Sequence, residues 1–552
     1  MRELIRSIRD RLLGTDDTVG LERARLVTEA YREHEGAPAP LRRAHAFAHV
    51  LRSMTLDLRT NPVFAGNTSS RPRAWMLIPE HGFGVDAQIA LENEGVAQIL
   101  DEKIPLDIVN YWKHVSVGGT AGIGHLAVDL GRVVHEGLAA RIDEAQRHER
   151  TGTPESREYR HAMTIALHAV IDWAHRYAAQ ADSAAAEEPD PLVRGCLSRI
   201  ARACRHVPEY PARDLFEALQ AMVLVHLAVA IEGHGLSVSI GHPDRVLEPF
   251  IDERFSADSA TELVAAFMLK LTAHSFQGRG SKTQAITIGG ADAHGHDRCN
   301  ALTACFLDAC ALVRVGDPHV FLRWHPGMSP DIRERALGLL TAGAGMPLLV
   351  NDEPTVQGLC NAGITRADAW DYCIIGCNEL GIPGRSASSA APTGGTLQHL
   401  SVLNEMLLQH PAPDRIEGMG QLLALYEQHV FSRCLRMRKQ RRQGTLRAAR
   451  CVPTPFTSAL MHECIARGQD LLTGMRYTIP CVYERGLTNA VNAFAAIEQL
   501  VFTRGSTSLS ELVQGMCDNW ADGRLLRMVR GAPKWGNDDP RADKWCGELL
   551  AA

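Results

Sequence analysis

The chain has 552 residues, 45% of them hydrophobic and 22% charged, a composition typical of a globular protein with a large core. A formal charge of −6 provides no general attraction to nucleic acid or to an anionic membrane. The fourteen cysteines lack metal-ligand spacing, and the first residues lack the apolar core of a signal peptide. The longest apolar run, 221–231, is too short to cross a bilayer. We therefore predict a reduced, cytoplasmic protein with no nucleic-acid or membrane partner.

The first 230 residues are patterned mainly as helices. Apolar residues recur at helical spacing over 21–30 and again over 44–54. The segments 132–204 and 213–220 also have helical patterns. We therefore expect long helices whose apolar faces belong to the core.

From residue 230 onward, short apolar runs broken by glycine replace the helical pattern. The runs 232–241, 283–290 and 318–324 are typical of strands, and helical segments lie between them. Alternating strands and helices predict an α/β fold in which βα units close a barrel.

The segment 371–384 has the most informative pattern. Residues 372–375 predict a buried strand that breaks at Gly376, which would put Cys377 at a loop tip. If the chain stays extended, the Cys377 and Glu379 side chains leave one face. Such a pair can combine a nucleophile or radical carrier with a proton acceptor. The alternative is a buried cysteine and a glutamate that caps the next turn.

The basic segment 433–450 contains eight arginine or lysine residues in eighteen positions. The simplest interpretation is an exposed, solvated helix, and the alternative is a docking face for an acidic partner.

Several segments together resemble one family. Gly376-Cys377-Asn378-Glu379-Leu380, with the upstream run 345–353, resembles the thiyl loop of glycyl radical enzymes, whose dehydratase and lyase branches read Gly-Cys-Val-Glu-Pro. Further segments match this family in family order, so the resemblance covers nearly the whole chain: 66–80, 455–460, 485–489 and 533–539.

The resemblance implies a ten-stranded α/β barrel of the glycyl radical enzyme type, with many surrounding helices and a C-terminally incomplete barrel. It implies one domain over 1–552, with a helical shell over 1–230, barrel strands and the thiyl loop over 231–400, and a helical remainder over 401–552.

The resemblance also implies site residues. Cys377 corresponds to the thiyl radical carrier and Glu379 to the general base of a dehydratase or carbon–heteroatom lyase. His125, in a Gly-His pair, and Ser237 correspond to substrate-binding residues. A small-molecule substrate is expected, with no metal and no bound cofactor.

Two further positions bear on the substrate. Leu236 stands where glycerol dehydratase has a polar histidine, and Ala391 where that enzyme has a substrate-binding aspartate. A buried hydroxyl without a partner costs on the order of 1–3 kcal/mol. We therefore expect a substrate that is less hydroxylated or bulkier than glycerol.

The sequence departs from the family in one respect that bears on the chemistry. None of its nine tyrosines follows a glycine, so it has no counterpart of the family's Arg-Val-x-Gly-Tyr radical loop. We expect a split enzyme, in which a small separate chain carries the glycyl radical after activation by a radical S-adenosylmethionine enzyme. The alternatives are a radical-independent enzyme that uses Cys377 as thiolate or Glu379 as base, and a non-catalytic relative that binds a small molecule. A homodimer is a further expectation that the sequence leaves open.

Overall fold

The computed structural model describes residues 1–81, 104–115, 124–148, 150, 152–233, 237–253, 255–274, 283–388, 396–479 and 482–551. The chain divides into two compact units. The first comprises Met1–Ala391 and Thr445–Ile479, and the second comprises Pro392–Gly444 and Pro480–Ala552. The helix Met419–Cys451 runs through the boundary.

Helices dominate the N-terminal half of the described chain, as predicted. They are α1 (Arg2–Leu13), α2 (Glu22–Glu33), α3 (Ala39–Ser53), α4 (Leu106–Val115), α5 (Leu130–Arg147), α6 (Pro154–Glu187), α7 (Pro191–Cys204) and α8 (Leu215–Gly233). The apolar faces predicted over 21–30 and 44–54 are buried in α2 and α3. Helix α8 is long and apolar enough to cross a membrane, but 94% of its most apolar window is buried inside the protein, as in a core helix.

The later helices of the first unit alternate with strands. They are α9 (Pro243–Val246), α10 (Ala257–Thr272), α11 (Ala301–Val313), α12 (Pro330–Thr341), α13 (Asp352–Asn361) and α14 (Arg366–Ala369). Side-chain caps fix the residue at which several of these helices begin. For example, Asn300 and Thr303 form a reciprocal capping box at the start of α11.

The strands are short: β1 (Thr18–Gly20), β2 (Ala74–Met76), β3 (Leu126–Ala127), β4 (Val238–Ser239), β5 (Ala285–Gly289), β6 (His319–Trp324), β7 (Leu348–Asn351), β8 (Cys373–Ile375), β9 (Glu379–Gly381), β10 (Ser386–Ser388), β11 (Thr396–Gln398), β12 (Tyr477–Ile479) and β13 (Tyr483–Arg485). The predicted strands over 283–290 and 318–324 are confirmed as β5 and β6. Among the described residues of the predicted run 232–241, strand structure is limited to 238–239, and 232–233 end helix α8.

In the first unit the strands form small sheets. One has the order β12-β10-β3-β4, a second has the parallel order β5-β6-β7, and β8 pairs antiparallel with β9. A parallel bridge from Gly241 to Ile286 connects the end of β4 to β5. The protein is thus α/β with mostly helices, and the sheets of the described residues do not by themselves make up ten strands of one barrel.

The remaining helices begin after β11: α15 (His399–Gln409), α16 (Met419–Cys451), α17 (Pro455–Ala459), α18 (Cys464–Arg467), α19 (Leu471–Gly474), α20 (Leu487–Ile497), α21 (Leu509–Cys517), α22 (Gly523–Arg530) and α23 (Pro540–Ala551). The basic segment 433–450 is helical as predicted, and the buried residues of α16 all precede it. The second unit has its own apolar core, built from α15, α16, α20 and α23.

Candidate active site

The predicted loop is a tight hairpin. Strands β8 and β9 pair with Ile375 opposite Glu379, so residues 376–378 form the turn. Gly376 has a φ of 63°, and a Cβ there would lie 2.8 Å from a Glu379 carboxylate oxygen and 2.9 Å from the Ser237 Cβ. A glycine is therefore required on both conformational and steric grounds. The exposed Cys377 lies at the tip, which confirms the predicted break at Gly376.

The Glu379 carboxylate closes the turn. Its Oε2 accepts hydrogen bonds from the backbone N–H of Cys377, at 2.8 Å, and of Asn378, at 3.1 Å. Only 5% of Glu379 is exposed. The prediction of an extended chain with both side chains on one face is wrong, because the backbone reverses between the two residues. The two groups nevertheless share a single turn.

His125 lies against the other carboxylate oxygen. Its Nε2 is 3.3 Å from the Oε1 of Glu379, and both side chains are buried. The residue directly precedes β3 and has a φ of 53°. The structure thus brings His125 to the predicted site, and its contact with a substrate stays a prediction.

Two hydroxyl groups lie next to the hairpin tip. The Oγ of Ser237 is 2.7 Å from the Oγ1 of Thr283, and Thr283 also hydrogen-bonds the Cys377 thiol. Both residues have positive φ, 59° and 48°, a conformation that costs about 1–2 kcal/mol for a residue with a Cβ. Our sequence analysis missed Thr283 as a site residue. The available signal was its position just before β5, as Ser237 stands just before β4.

The protonation state of Cys377 follows from these neighbours. Partial burial and the nearby Glu379 charge raise the pKa of the thiol, while the hydrogen bond with Thr283 opposes the increase. The net result is a pKa above the ordinary value of a cysteine. Cys377 is therefore a thiol, not a thiolate, at neutral pH.

Side-chain hydroxyls attach the hairpin to the neighbouring strands. The amide of Ile374 donates to Thr287 Oγ1 at 2.9 Å, and the amide of Gly376 donates to Ser239 Oγ at 3.2 Å. Ser239 belongs to β4 and Thr287 to β5. The backbone N–H groups of Ile374 and Gly376 thus donate to side-chain hydroxyls and not to the backbone of a neighbouring strand.

A fully buried ion pair supports the start of β8. Arg323 donates to both oxygens of Asp352, at 2.7 and 3.2 Å, and neither side chain is exposed. Arg323 also donates to the carbonyls of Trp370 and Tyr372, and the Tyr372 hydroxyl donates to Asp352 at 2.8 Å. The guanidinium group of Arg323 therefore fixes the backbone that leads into β8.

Two predicted site residues, Leu236 and Ala391, lie outside the described residues. The site that the structure does describe contains a protonated thiol, a carboxylate paired with an imidazole, and two hydroxyls. Such a set can exchange a hydrogen atom at sulfur and accept a proton at oxygen, and it can hold a small polar substrate.

Comparison with known proteins identifies the family. A family model described as pyruvate formate lyase-like matches residues 1–552. The (2S)-3-sulfopropanediol dehydratase of Klebsiella oxytoca is 26% identical over 98% of this chain and 74% of its own, and the isethionate sulfite-lyase of Nitratidesulfovibrio vulgaris is 25% identical over 97% and 74%. A glycyl radical enzyme from Archaeoglobus fulgidus superposes with a TM-score of 0.89 at 25% identity, covering 99% of this chain and 78% of that one.

The chain belongs to the pyruvate formate lyase-like family of glycyl radical enzymes. Its relatives identify it as an enzyme of the lyase and dehydratase class. It spans about three quarters of the length of these relatives.

Proposed function

We propose that Cys377 is the thiyl radical carrier and Glu379 the general base of a glycyl-radical-type dehydratase or carbon–heteroatom lyase. The substrate is a small molecule with a hydroxyl or other proton-bearing heteroatom next to a carbon that holds a leaving group. The strands around the hairpin are proposed to belong to the ten-stranded barrel of the family.

The single turn that holds the Cys377 thiol at its exposed tip and the Glu379 carboxylate beside it is the observation that best supports this proposal. Hydrogen-atom exchange needs an S–H bond, whereas nucleophilic attack needs a thiolate. The raised pKa of Cys377 favours the first chemistry over the second. The radical-independent thiolate alternative has no support of this kind.

The proposed cycle uses the described side chains as follows. Once its own hydrogen atom has been removed, the Cys377 sulfur is a thiyl radical. It takes a hydrogen atom from the substrate carbon and becomes S–H again, leaving an unpaired electron on that carbon. Glu379 accepts the proton of the neighbouring heteroatom, and the leaving group departs with its bonding electron pair. The product radical then takes a hydrogen atom back from Cys377.

His125 and Ser237 are proposed to bind the substrate. The imidazole lies 3.3 Å from the carboxylate oxygen that does not accept from the turn amides, so it can orient the proton that Glu379 accepts. Leu236 and Ala391 are proposed to remove the polar contacts that glycerol needs, and glycerol is therefore not the substrate.

The proposed radical source is a glycine outside the 552 residues, on a separate small chain. These residues contain no Gly-Tyr dipeptide, so the radical glycine of the proposal is not among them. A glycyl radical supplies the initial hydrogen-atom abstraction that no acid–base group can perform. A radical S-adenosylmethionine activase would generate it, in the reducing cytoplasm.

Anaerobic reconstitution tests the proposal. The chain is purified with the proteins it captures in its native host, activated, and assayed for a glycyl radical signal and for turnover of candidate alcohols. We expect turnover to need the captured chain, and we expect Cys377→Ser and Glu379→Gln each to reduce it by at least a thousandfold. Cys517→Ser, an exposed thiol elsewhere, is the matched control and should retain full activity.

Two results would contradict the proposal. The first is turnover by the chain alone in air, which indicates chemistry without a radical. The second is undiminished turnover by Cys377→Ser in the activated mixture. Efficient dehydration of glycerol would contradict only the substrate assignment.

A further inference from the structure

The basic part of α16 has an outward face on which apolar and basic side chains lie in one line. Phe431, Leu435, Arg438 and Arg442 are all exposed. They follow one another at intervals of four, three and four residues. At about 100° per residue, these positions lie within an arc of about 60° on the helix surface. We call these four residues the outer seam.

The apolar half of the outer seam is not covered by the protein itself. The buried residues of α16 are Leu422, Tyr426 and Val430, which lie on a different side of the helix. Phe431 is 64% exposed and Leu435 is 48% exposed. These two large side chains stand one helical turn apart, so together they form an apolar surface that it is favourable to bury.

The basic half of the outer seam has no counter-charge. The segment 428–462 contains eight arginine or lysine residues and no aspartate or glutamate. Arg433, on another side of α16, pairs with Glu405 of α15 at 3.2 Å. Among the described residues, no carboxylate forms an ion pair with Arg438 or Arg442. Both guanidinium groups are therefore available to carboxylates of another molecule.

The order of side chains along the outer seam defines what fits it. The first two positions are apolar and the last two are basic, over about 16 Å of helix. Intervals of four and three residues are those at which a second helix, packed alongside, contacts each position in turn. A complementary helix therefore carries apolar side chains and carboxylates on the same face.

We propose that the outer seam docks an acidic amphipathic helix of a partner protein. The partner helix places apolar side chains against Phe431 and Leu435, and carboxylates against Arg438 and Arg442. A lipid surface would suit a helix whose apolar and basic residues lie on separate faces, which is not the arrangement here. Pairing with a second copy of α16 is opposed by the positive charge of both copies.

This docking surface is separate from the proposed chemistry. The outer seam belongs to the second unit of the chain, whereas Cys377 and Glu379 belong to the first. The inference does not depend on the proposed function, because docking can be measured on the unactivated chain.

Fluorescence anisotropy with three labelled synthetic peptides tests the proposal on the full chain. Each peptide has about 20 residues in an alanine-rich background, a length that can form a helix in water. The first peptide carries two leucines and two glutamates at the spacing of the outer seam. The second has lysine in place of glutamate, and the third has serine in place of leucine. Both orders of the two pairs are made, because a docked helix can run in either direction.

We expect the first peptide to bind at least tenfold more tightly than the second or the third, and added salt to weaken its binding. The double variant Arg438→Glu/Arg442→Glu should reverse the preference, so that the second peptide becomes the tighter ligand. A folding defect cannot produce this gain. Arg436→Glu/Arg450→Glu changes the charge of α16 equally at exposed positions away from the outer seam, and this matched control should keep the original preference.

Several results would overturn the proposal. One is equal binding of the three peptides, and another is no binding of the first. A reversed preference in the control variant would show general charge attraction only. Tighter binding of phosphatidylserine vesicles or of single-stranded DNA would assign the surface to a membrane or to nucleic acid. A dimer that Leu435→Ser dissociates in sedimentation would assign it to a second copy of this chain.

Discussion

At the scale of single residues, two neighbours act on the Cys377 thiol in opposite directions. The Glu379 charge raises the pKa of the sulfur and the Thr283 hydrogen bond lowers it. The turn that joins Cys377 to Glu379 thus sets the protonation of the thiol as well as its position. Reactivity toward an alkylating agent measures both contributions, because only the thiolate reacts.

We expect Thr283→Val to slow alkylation of Cys377 by iodoacetamide at pH 8, roughly two- to tenfold, the range expected when a hydrogen bond worth about 0.5–1.5 kcal/mol is lost. Glu379→Gln should accelerate it, because a negative charge is removed. Mass spectrometry of the Cys377 peptide gives the rates, and the exposed Cys517 in the same sample is the internal control. Changes in the same direction for both variants would contradict this account.

Gly376 tests how tightly the turn is packed. Gly376→Ala combines a left-handed backbone with contacts below 3 Å to Ser237 and Glu379, so we expect a loss of roughly 2–4 kcal/mol. Gly343→Ala is a matched control, since Gly343 has a φ of 70° and open space around it, and it should cost only the left-handed penalty of about 1–2 kcal/mol. Denaturant unfolding measures both, and equal losses would show that no steric clash exists at the turn.

At the scale of elements, the sequence predicted the pieces near Cys377 better than their geometry. The strand before Gly376 and the loop tip followed from local pattern, because glycine and an apolar run act locally. A turn-capping role for Glu379 was the alternative to an extended chain, and the sequence could not decide between them, because an extended chain and a reversed one share the same spacing. Thr283 was missed because a contact between the starts of β4 and β5 depends on the packing of strands distant in sequence.

The Arg323–Asp352 pair provides a test of the support below β8. Arg323→Met leaves the fully buried Asp352 carboxylate without its counter-charge, although the Tyr372 hydroxyl still donates to it, and we expect a loss of about 3–5 kcal/mol. The double replacement Arg323→Met/Asp352→Leu should recover part of it, since no buried charge remains.

Thermal unfolding is the measurement for this pair. Arg335→Met, at an exposed pair with Asp308, is the matched control and should change stability by less than about 1 kcal/mol. A double variant less stable than Arg323→Met would contradict the assigned role of the buried charges.

At the scale of the whole molecule, the α/β class and the helix-rich periphery could be predicted from patterning. The family and its barrel came from resemblance, since short strands such as β3 and β4 have too few residues to carry a periodic signal. Helix α10 shows another limit of prediction from sequence. Its residue Lys270 is almost completely buried, whereas a sequence pattern would assign a lysine to the surface.

Burial of Lys270 lowers its pKa to about 8 from 10.5. Between these two values the unfolded chain binds more protons than the folded one, so this residue makes stability rise with pH through that window. We expect Lys270→Met to be more stable than the parent at pH 7, by on the order of 2–3 kcal/mol, and this advantage should vanish near pH 10.5.

Unfolding midpoints at pH 7, 8.5 and 10 test this expectation for Lys270. Lys439→Met, at an exposed lysine of α16, is the control and should show no such trend. A difference between Lys270→Met and the parent that does not vary with pH would contradict it.

The carboxylate of Glu379 holds together the turn that carries the Cys377 sulfur, because it accepts hydrogen bonds from two amides of that turn. When Glu379 accepts a proton it loses its charge, and hydrogen bonds to a neutral carboxyl group are weaker than those to a carboxylate. In the proposed cycle the amides of Cys377 and Asn378 would therefore be held less firmly in the interval after the substrate has given up its proton. The turn that carries Cys377 would therefore be more mobile at the stage when its sulfur returns a hydrogen atom to the product radical. Proton transfer to Glu379 and mobility of the turn would be coupled through one carboxyl group.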